Sequence, residues 1–372
     1  MTIFEELGVT PVLNARGAYT DLGGSSLSSR VWAAAEEANR WFVEIPELLE
    51  RSGQELAALV GAEAARVTPG AAAAIALGTA ACLTRADRER IERLPDTTGM
   101  PGRVLIQRGH RYKYDRCVRM VGAELVEVES GALGAALGPE VGAVFFPGHL
   151  DGVRGTLALP DVCALARARE IPVLVDAAYL IDPPERMRTF IAAGADLVCF
   201  SAKYFGGPNA GGFICGRHDL VDAVAALDFI RFESGEHYRF GRPFKLDRQM
   251  IAAVYAALCD WIDTGSEARL ADYRRKVDLL RSRLEGIPGV DLEPMCFTME
   301  ETLAPAPVNC LVVRFGPEAS ASAAQADAAL RAGTPSVLAH VVDNALVVVV
   351  DSVLNEDEEL LAERLESALR PC

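Results

Sequence analysis

A three-layer α/β domain followed by a smaller α+β domain is the fold class that this sequence predicts, and three observations carry it. Between residues 103 and 216, short and almost continuously apolar β-rich runs alternate with helical stretches: Val104-Leu105-Ile106, Leu125-Val126-Glu127-Val128, Val144-Phe145-Phe146, Val173-Leu174-Val175-Asp176, Leu197-Val198-Cys199-Phe200 and Gly212-Phe213-Ile214-Cys215. Most are spaced by roughly 20 to 30 residues, the spacing of buried parallel strands joined by helical crossovers. After a helical stretch from Asp247 to Ile262 the pattern changes to helices near 268–285, 320–332 and 356–369 with strands near 309–314 and 346–350, an α+β signature. Finally, 372 residues exceed what one hydrophobic core organises.

Taken in order, residues 1–25 form a turn-rich arm with Asn14, Arg16, Gly17 and Gly23-Gly24. Residues 26–262 make the large domain and 263–372 the small one. From Glu55 to Leu83 two helical stretches flank Val67-Thr68-Pro69-Gly70, so a tight turn feeds the alanine-rich helix that begins at Ala71. The segment Arg85 to Arg103, with Pro95, Gly99, Pro101 and Gly102, reads as a flexible excursion.

Composition narrows the function classes. Half of the residues are hydrophobic and 24% are charged, as in a globular enzyme. A net charge of −15 without a long Lys/Arg run opposes a nucleic-acid partner. The start, Met1 to Leu7, carries acidic residues where a secretion signal has basic ones, and apolar runs such as Ala71–Leu77 and Leu346–Val350 are too short to span a bilayer. A cytoplasmic protein without a membrane partner is expected. The nine cysteines include no Cys-x-x-Cys pair and read as reduced thiols filling the core.

The strongest chemical signal is Phe200-Ser201-Ala202-Lys203-Tyr204-Phe205-Gly206-Gly207-Pro208, just after a buried strand. Ligands of open α/β sheets bind at the carboxyl ends of parallel strands, and a desolvated lysine there is a nucleophilic amine suited to a Schiff base. A surface lysine in a glycine-rich loop is the plain alternative. Asp176 closes the strand before it and is suited to a protonated pyridine nitrogen, or to an ordinary helix cap. Gly70-Ala71-Ala72 opens a helix, whose free N–H groups favour an anion such as phosphate. Ser201 offers a hydroxyl to the same phosphate, and His110 in Gly109-His110-Arg111 suits either a ring-stacking or a structural role. No Gly-x-Gly occurs anywhere, which argues against a nicotinamide dehydrogenase.

Glu6-Leu7-Gly8-Val9, Asn14-Ala15-Arg16-Gly17, Leu22-Gly23-Gly24-Ser25, Gly61-Ala62-Glu63-Ala64-Ala65, Gln107-Arg108-Gly109-His110, Val175-Asp176-Ala177-Ala178, Gly194-Ala195-Asp196-Leu197 and Gly241-Arg242-Pro243-Phe244-Lys245 carry a family likeness from end to end. In these motifs the chain resembles the selenocysteine-synthase-like branch of fold-type-I pyridoxal-phosphate enzymes, which includes D-glucosaminate-6-phosphate ammonia-lyases. The resemblance implies the aspartate-aminotransferase fold with pyridoxal 5'-phosphate as cofactor. Lys203 is then the internal-aldimine lysine, Asp176 the partner of the ring nitrogen and His110 the stacking group. Gly70, Ala71, Ala72 and Ser201 form the phosphate cup, and Ala178 packs on the opposite ring face. Arg16, Arg242 and Lys245 become candidates for a substrate carboxylate or phosphate, or else for ordinary ion pairing. Two departures stand out: Ser201-Ala202-Lys203 replaces the branch's Gly-Asp-Lys or Gly-Gly-Lys, and His340 stands near where many relatives carry an arginine for the α-carboxylate.

The implied reaction is α,β-elimination from an amino acid or amino sugar acid through a Lys203 aldimine and a quinonoid intermediate. Racemase or epimerase, aldolase and aminotransferase activities share that intermediate. A non-catalytic binding protein on the same fold is the alternative from another class. The resemblance also implies a homodimer or a higher homo-oligomer.

Overall fold

The computed structural model describes residues 2–236 and 240–370. It divides into two compact units, residues 27–263 and residues 1–26 with 264–372. Strand β1 (Val12–Asn14) belongs to the smaller unit. The larger holds β2 (Ala64–Thr68), β3 (Arg103–Gln107), β4 (Glu124–Val128), β5 (Val141–Pro147), β6 (Val173–Asp176), β7 (Leu197–Ser201) and β8 (Gly212–Gly216).

These seven strands form one sheet in the order β2-β8-β7-β6-β5-β3-β4. Pairing is parallel from β4 through β7, whereas β8 runs antiparallel to both β7 and β2. The uniformly parallel reading therefore fails at β8, because the short link from Ser201 to Gly212 has no room for a crossover helix. The sequence reading also missed β2, which is a strand between the helices Ile45–Val60 and Ala71–Thr84. Four of its five residues are buried on both faces, so no period-2 alternation marks it.

Successive strand residues feed two apolar layers. Leu105, Val144, Phe146, Val173, Val175, Val198 and Phe200 pack with Leu49, Leu56, Val162 and Val254 from helices on one face. Ile106, Phe145, Leu174, Leu197, Cys199 and Ile214 pack with Ile75, Leu77 and Ala80 of the Ala71–Thr84 helix on the other. That alternation is what makes three layers. The helix is alanine-rich because it lies hard against the sheet: a Cβ at Gly78 would sit 2.7 Å from Ile214 Cδ1 and 3.0 Å from Leu174 Cδ1. The segment 85–103 is packed rather than flexible, since it contains the helix Arg88–Arg93 and buries Ile91 and Leu94 completely.

In the smaller unit, β1 pairs in parallel with β12 (Ser336–Leu338). The segment expected as an arm thus shares a two-stranded sheet with the C-terminal region. A five-stranded antiparallel sheet completes the unit, made of β9 (Val290–Phe297), β10 (Leu303–Ala304), β11 (Cys310–Phe315), β13 (His340–Val342) and β14 (Ala345–Val349) in the order β10-β9-β11-β14-β13. The long helix Arg248–Leu284 is interrupted at Gly265 (φ 71°, ψ 159°), beside the passage from one unit to the other. Among the described residues no helix is long and apolar enough to cross a membrane.

Candidate active site

The carboxyl ends of β6 and β7 bring the principal candidates together in the larger unit. Asp176 ends β6 opposite Cys199. Two residues on, the carbonyl of Ala178 accepts the backbone N–H of Ser201 at 3.1 Å. Ser201 ends β7, and the next turn, Ala202–Phe205, places Lys203 at only 8% exposure with Nζ 4.6 Å from the centre of the Tyr204 ring.

The phosphate-cup candidates abut the same strand ends. Gly70 takes φ 85° and ψ 170°, a conformation essentially reserved for glycine, and it starts the 14-residue Ala71–Thr84 helix without a side-chain cap. Gly212 pairs with Ser201, and a Cβ there would lie 2.5 Å from the Phe200 carbonyl oxygen and 2.9 Å from the Gly70 carbonyl carbon. Glycine at 212 thus lets the helix N-terminus touch the strand end that carries Ser201. The first-turn N–H groups and the helix dipole are directed at this point, where Ala71 and Ala72 remain partly accessible.

Asp176 is buried at 5% exposure. One carboxylate oxygen accepts the Ala178 N–H at 3.0 Å and the other accepts the Tyr112 hydroxyl. Burial pushes its pKa up, with Tyr112, the Ala178 N–H and His149 opposing that shift. A carboxylate held out of water by neutral donors is completed by a cationic N–H, which a protonated pyridine nitrogen supplies. The glycine cradle, the uncapped helix and this carboxylate together fit pyridoxal phosphate.

An arc of rings runs from Asp176 to Lys203. Tyr112 lies 4.9 Å from His149, His149 lies 5.7 Å from Tyr179, and Tyr179 lies 5.8 Å from Tyr204. Tyr112 and His149 were not singled out from the sequence. His149 was within reach of it, because Pro147-Gly148-His149 stands at the carboxyl end of β5, next to β6, where the rule that selected Asp176 applies equally. Tyr112 had no comparable signal, being five residues past its strand.

The expected stacking role of His110 does not match its surroundings. The imidazole is fully buried, edge-on to Phe146 at 4.8 Å, with Nδ1 3.4 Å from Gln107 Nε2. Burial lowers its pKa and keeps it neutral. It has no accessible face to offer a ligand, whereas Tyr112 and His149 flank Asp176.

The substrate candidates divide between the units. Arg242 is exposed and pairs with Glu233 at 2.6 Å, which realises its ion-pairing alternative, and Lys245 is exposed nearby in sequence. Arg16 and His340 meet in the smaller unit. The Arg16 guanidinium lies 5.0 Å from the centre of the Tyr19 ring, and its carbonyl accepts a hydrogen bond from His340 Nε2 at 2.9 Å. His340 packs between Tyr19 and Phe297, and burial lowers its pKa. As a neutral imidazole it supports the Arg16 turn.

The sheet order with its single antiparallel strand, the buried Lys203 and Asp176 at neighbouring strand ends, and the glycine-lined helix start define a fold-type-I pyridoxal-phosphate enzyme. Comparison with known proteins agrees, although no family model matches the chain. A 5'-C-glycyluridine monooxygenase-decarboxylase of a Streptomyces species is 30% identical over 347 residues, covering 90% of this chain and 83% of that protein. D-glucosaminate-6-phosphate ammonia lyase of Salmonella typhimurium is 34% identical over 267 residues, 68% of this chain and 69% of that protein. A solved structure of a D-glucosaminate-6-phosphate ammonia-lyase superposes with a TM-score of 0.85 at 27% identity, covering 99% and 98% of the two chains. The chain belongs to the selenocysteine-synthase-like family of pyridoxal-phosphate enzymes that includes D-glucosaminate-6-phosphate ammonia-lyase. It is a pyridoxal-phosphate-dependent enzyme of the lyase type.

Proposed function

We propose that the enzyme acts at Cα of an amino acid or amino sugar acid and expels a substituent from the adjacent carbon, with Lys203 holding the cofactor and then moving the Cα proton. The observation that carries this reading is the burial of Lys203 and Asp176 at the ends of adjacent strands beside the Gly70 helix start. When bound, pyridoxal phosphate supplies a protonated ring that accepts the electron pair left at Cα.

The chain's own residues take the remaining tasks. The first-turn N–H groups at Gly70, Ala71 and Ala72, with the Ser201 hydroxyl, hold the phosphate. Asp176 holds the proton on the ring nitrogen, Ala178 packs against one ring face, and the ring of His149 takes the place first given to His110. Lys203 would hold the cofactor and would serve as the general base beside Cα. Its burial excludes water from that proton transfer.

Kinship with a lyase named for a phosphorylated amino sugar acid supports elimination from a polyhydroxylated substrate. The Streptomyces relative, named a monooxygenase-decarboxylase, supports an oxygen-dependent decarboxylation as the second reading. The free cysteines among the described residues suit a cytoplasmic setting. Trp32, Trp41, Phe42 and Val43, each at least half exposed, suit a homodimer or larger homo-oligomer.

The test is an absorbance spectrum of the purified protein before and after borohydride, beside Lys203→Ala. A band at roughly 410–430 nm that reduction removes and the variant lacks is expected, with turnover in the variant down by about 10²- to 10⁴-fold. Amino sugar acids, free and phosphorylated, should then yield ammonia and a 2-oxo acid in equal amounts. Carbon dioxide without ammonia would favour decarboxylation. Absence of the band after added pyridoxal phosphate would sink the assignment of Lys203.

A further inference from the structure

Tyr112 reaches the one carboxylate on which the ring nitrogen depends. Its backbone N–H is anchored 3.1 Å from a carboxylate oxygen of the buried Asp115, which also takes the Arg111 guanidinium. Its ring lies nearly parallel to Phe145 at 17° and 6.2 Å, with His149 against its edge. The phenol is therefore wedged between an anchored backbone and two rings, and it donates to the oxygen of Asp176 that Ala178 leaves free. Each carboxylate oxygen has two lone pairs, so one site on each remains for a further donor. The other titratable groups that face Asp176 are His149, Cys117 and Cys199. Among the described residues no arginine or lysine forms an ion pair with it.

We propose that Tyr112 is a positioning residue that holds Asp176 ionised, and that it thereby keeps the proton on the cofactor's ring nitrogen instead of on the carboxylate. This rests on the proposed pairing of Asp176 with that nitrogen. The proton between a pyridine nitrogen and a carboxylate settles on whichever is the stronger base in that environment. A hydrogen bond donated to the carboxylate stabilises its charged form and weakens its hold on the proton. Without the phenol, Asp176 keeps one neutral donor in a dry site whose burial already favours the neutral acid. The proton then moves towards the carboxylate, and the ring becomes a weaker electron sink.

The phenol has a competing interpretation, as a placeholder that occupies the carboxylate until the ring nitrogen displaces it. The two readings predict opposite effects of Tyr112→Phe, a change that keeps the ring between Phe145 and His149. The measurement is the nitrogen NMR signal of pyridoxal phosphate labelled with ¹⁵N in the ring, bound to the wild-type holoenzyme and to Tyr112→Phe, with cofactor retention on dialysis recorded for both. A pyridinium-like signal in the wild type that moves towards unprotonated pyridine in the variant is expected, with retention weaker by about tenfold. An unchanged nitrogen signal, or tighter retention, would overturn the role of Tyr112 while leaving the cofactor assignment intact. A wild type that binds no pyridoxal phosphate would overturn both. Thermal melting of the two cofactor-free proteins separates a folding defect from either result.

Discussion

Two carboxylates of the larger unit are equally buried and yet differently equipped. Asp228 receives Nε of Arg66 at 3.0 Å and its Nη2 on one oxygen, while the other accepts the N–H of Ile230 at 2.9 Å. Both members of that pair are under 10% exposed, at a site where β2 meets the turn into the helix Phe229–Glu233. Asp176 is buried to the same degree but takes two donors instead of three, and both are neutral. A full counter-charge fixed by the protein makes Asp228 part of the architecture. Among the described residues no such counter-charge pairs with Asp176, which leaves it with an electrostatic cost that a cationic ligand can remove. Burial alone does not distinguish a structural acid from a functional one; the charge of its partners does.

The largest effect should come from breaking the structural pair. Arg66→Ala strands a buried carboxylate and is expected to cost about 3–5 kcal/mol of stability, measured by urea unfolding. Replacing both partners with apolar residues of similar volume, Arg66→Met with Asp228→Leu, should recover most of that loss. If the single variant unfolded like the wild type, the contrast between the two acids would collapse.

Asp176, the acid proposed to hold the ring nitrogen, should respond the other way. Asp176→Asn is expected to weaken cofactor retention by about ten- to a hundredfold, the value of a hydrogen bond to a charged group. The same change should leave the cofactor-free protein as stable as the wild type or more stable by about 1 kcal/mol at pH 7. The sign follows from linkage. Burial raises the folded-state pKa of Asp176, so its cost to stability is absent below the unfolded carboxyl pKa of about 3.9 and grows as pH rises through the folded value. The advantage of the asparagine variant should therefore vanish near pH 3 to 4. A cofactor-free Asp176→Asn protein markedly less stable at pH 7 would put Asp176 in the structural class with Asp228.

This contrast also marks how far the sequence could be read. Asp176 ends one apolar strand and Lys203 follows another, while Gly70 starts a helix, and such strand ends and helix starts are visible as changes of period. Their convergence was legible because sheet topology forces neighbouring carboxyl ends together. The antiparallel run of β8 was less so, since apolar content does not encode direction. Partners were hidden for a different reason. Arg66 with Asp228, and Tyr112 with Asp176, lie far apart along the chain and carry no periodic signal. Side-chain direction was equally invisible at His110, whose strand-end position suited a ligand contact but whose ring turns into the core against Phe146.

His110 allows the finest division within the site. It is a buried titratable group with no charged partner at hydrogen-bond distance among the described residues, and in that respect resembles Asp176. An imidazole differs from a carboxylate in being neutral near pH 7, so burial costs it little there. Because burial lowers its folded pKa, the stability it contributes is fully present above the unfolded value of about 6.5. That contribution is lost as pH falls through the folded value. His110→Leu should change stability at pH 7 by less than about 1.5 kcal/mol, as a near volume-conserving core swap does, and should leave the cofactor absorbance where it is. Between pH 7 and 5 the wild type should lose stability relative to the variant, read as a narrowing or reversal of the difference in urea midpoints. A shifted absorbance band in His110→Leu would instead return His110 to the cofactor and make burial a poor guide to which imidazole the ring meets.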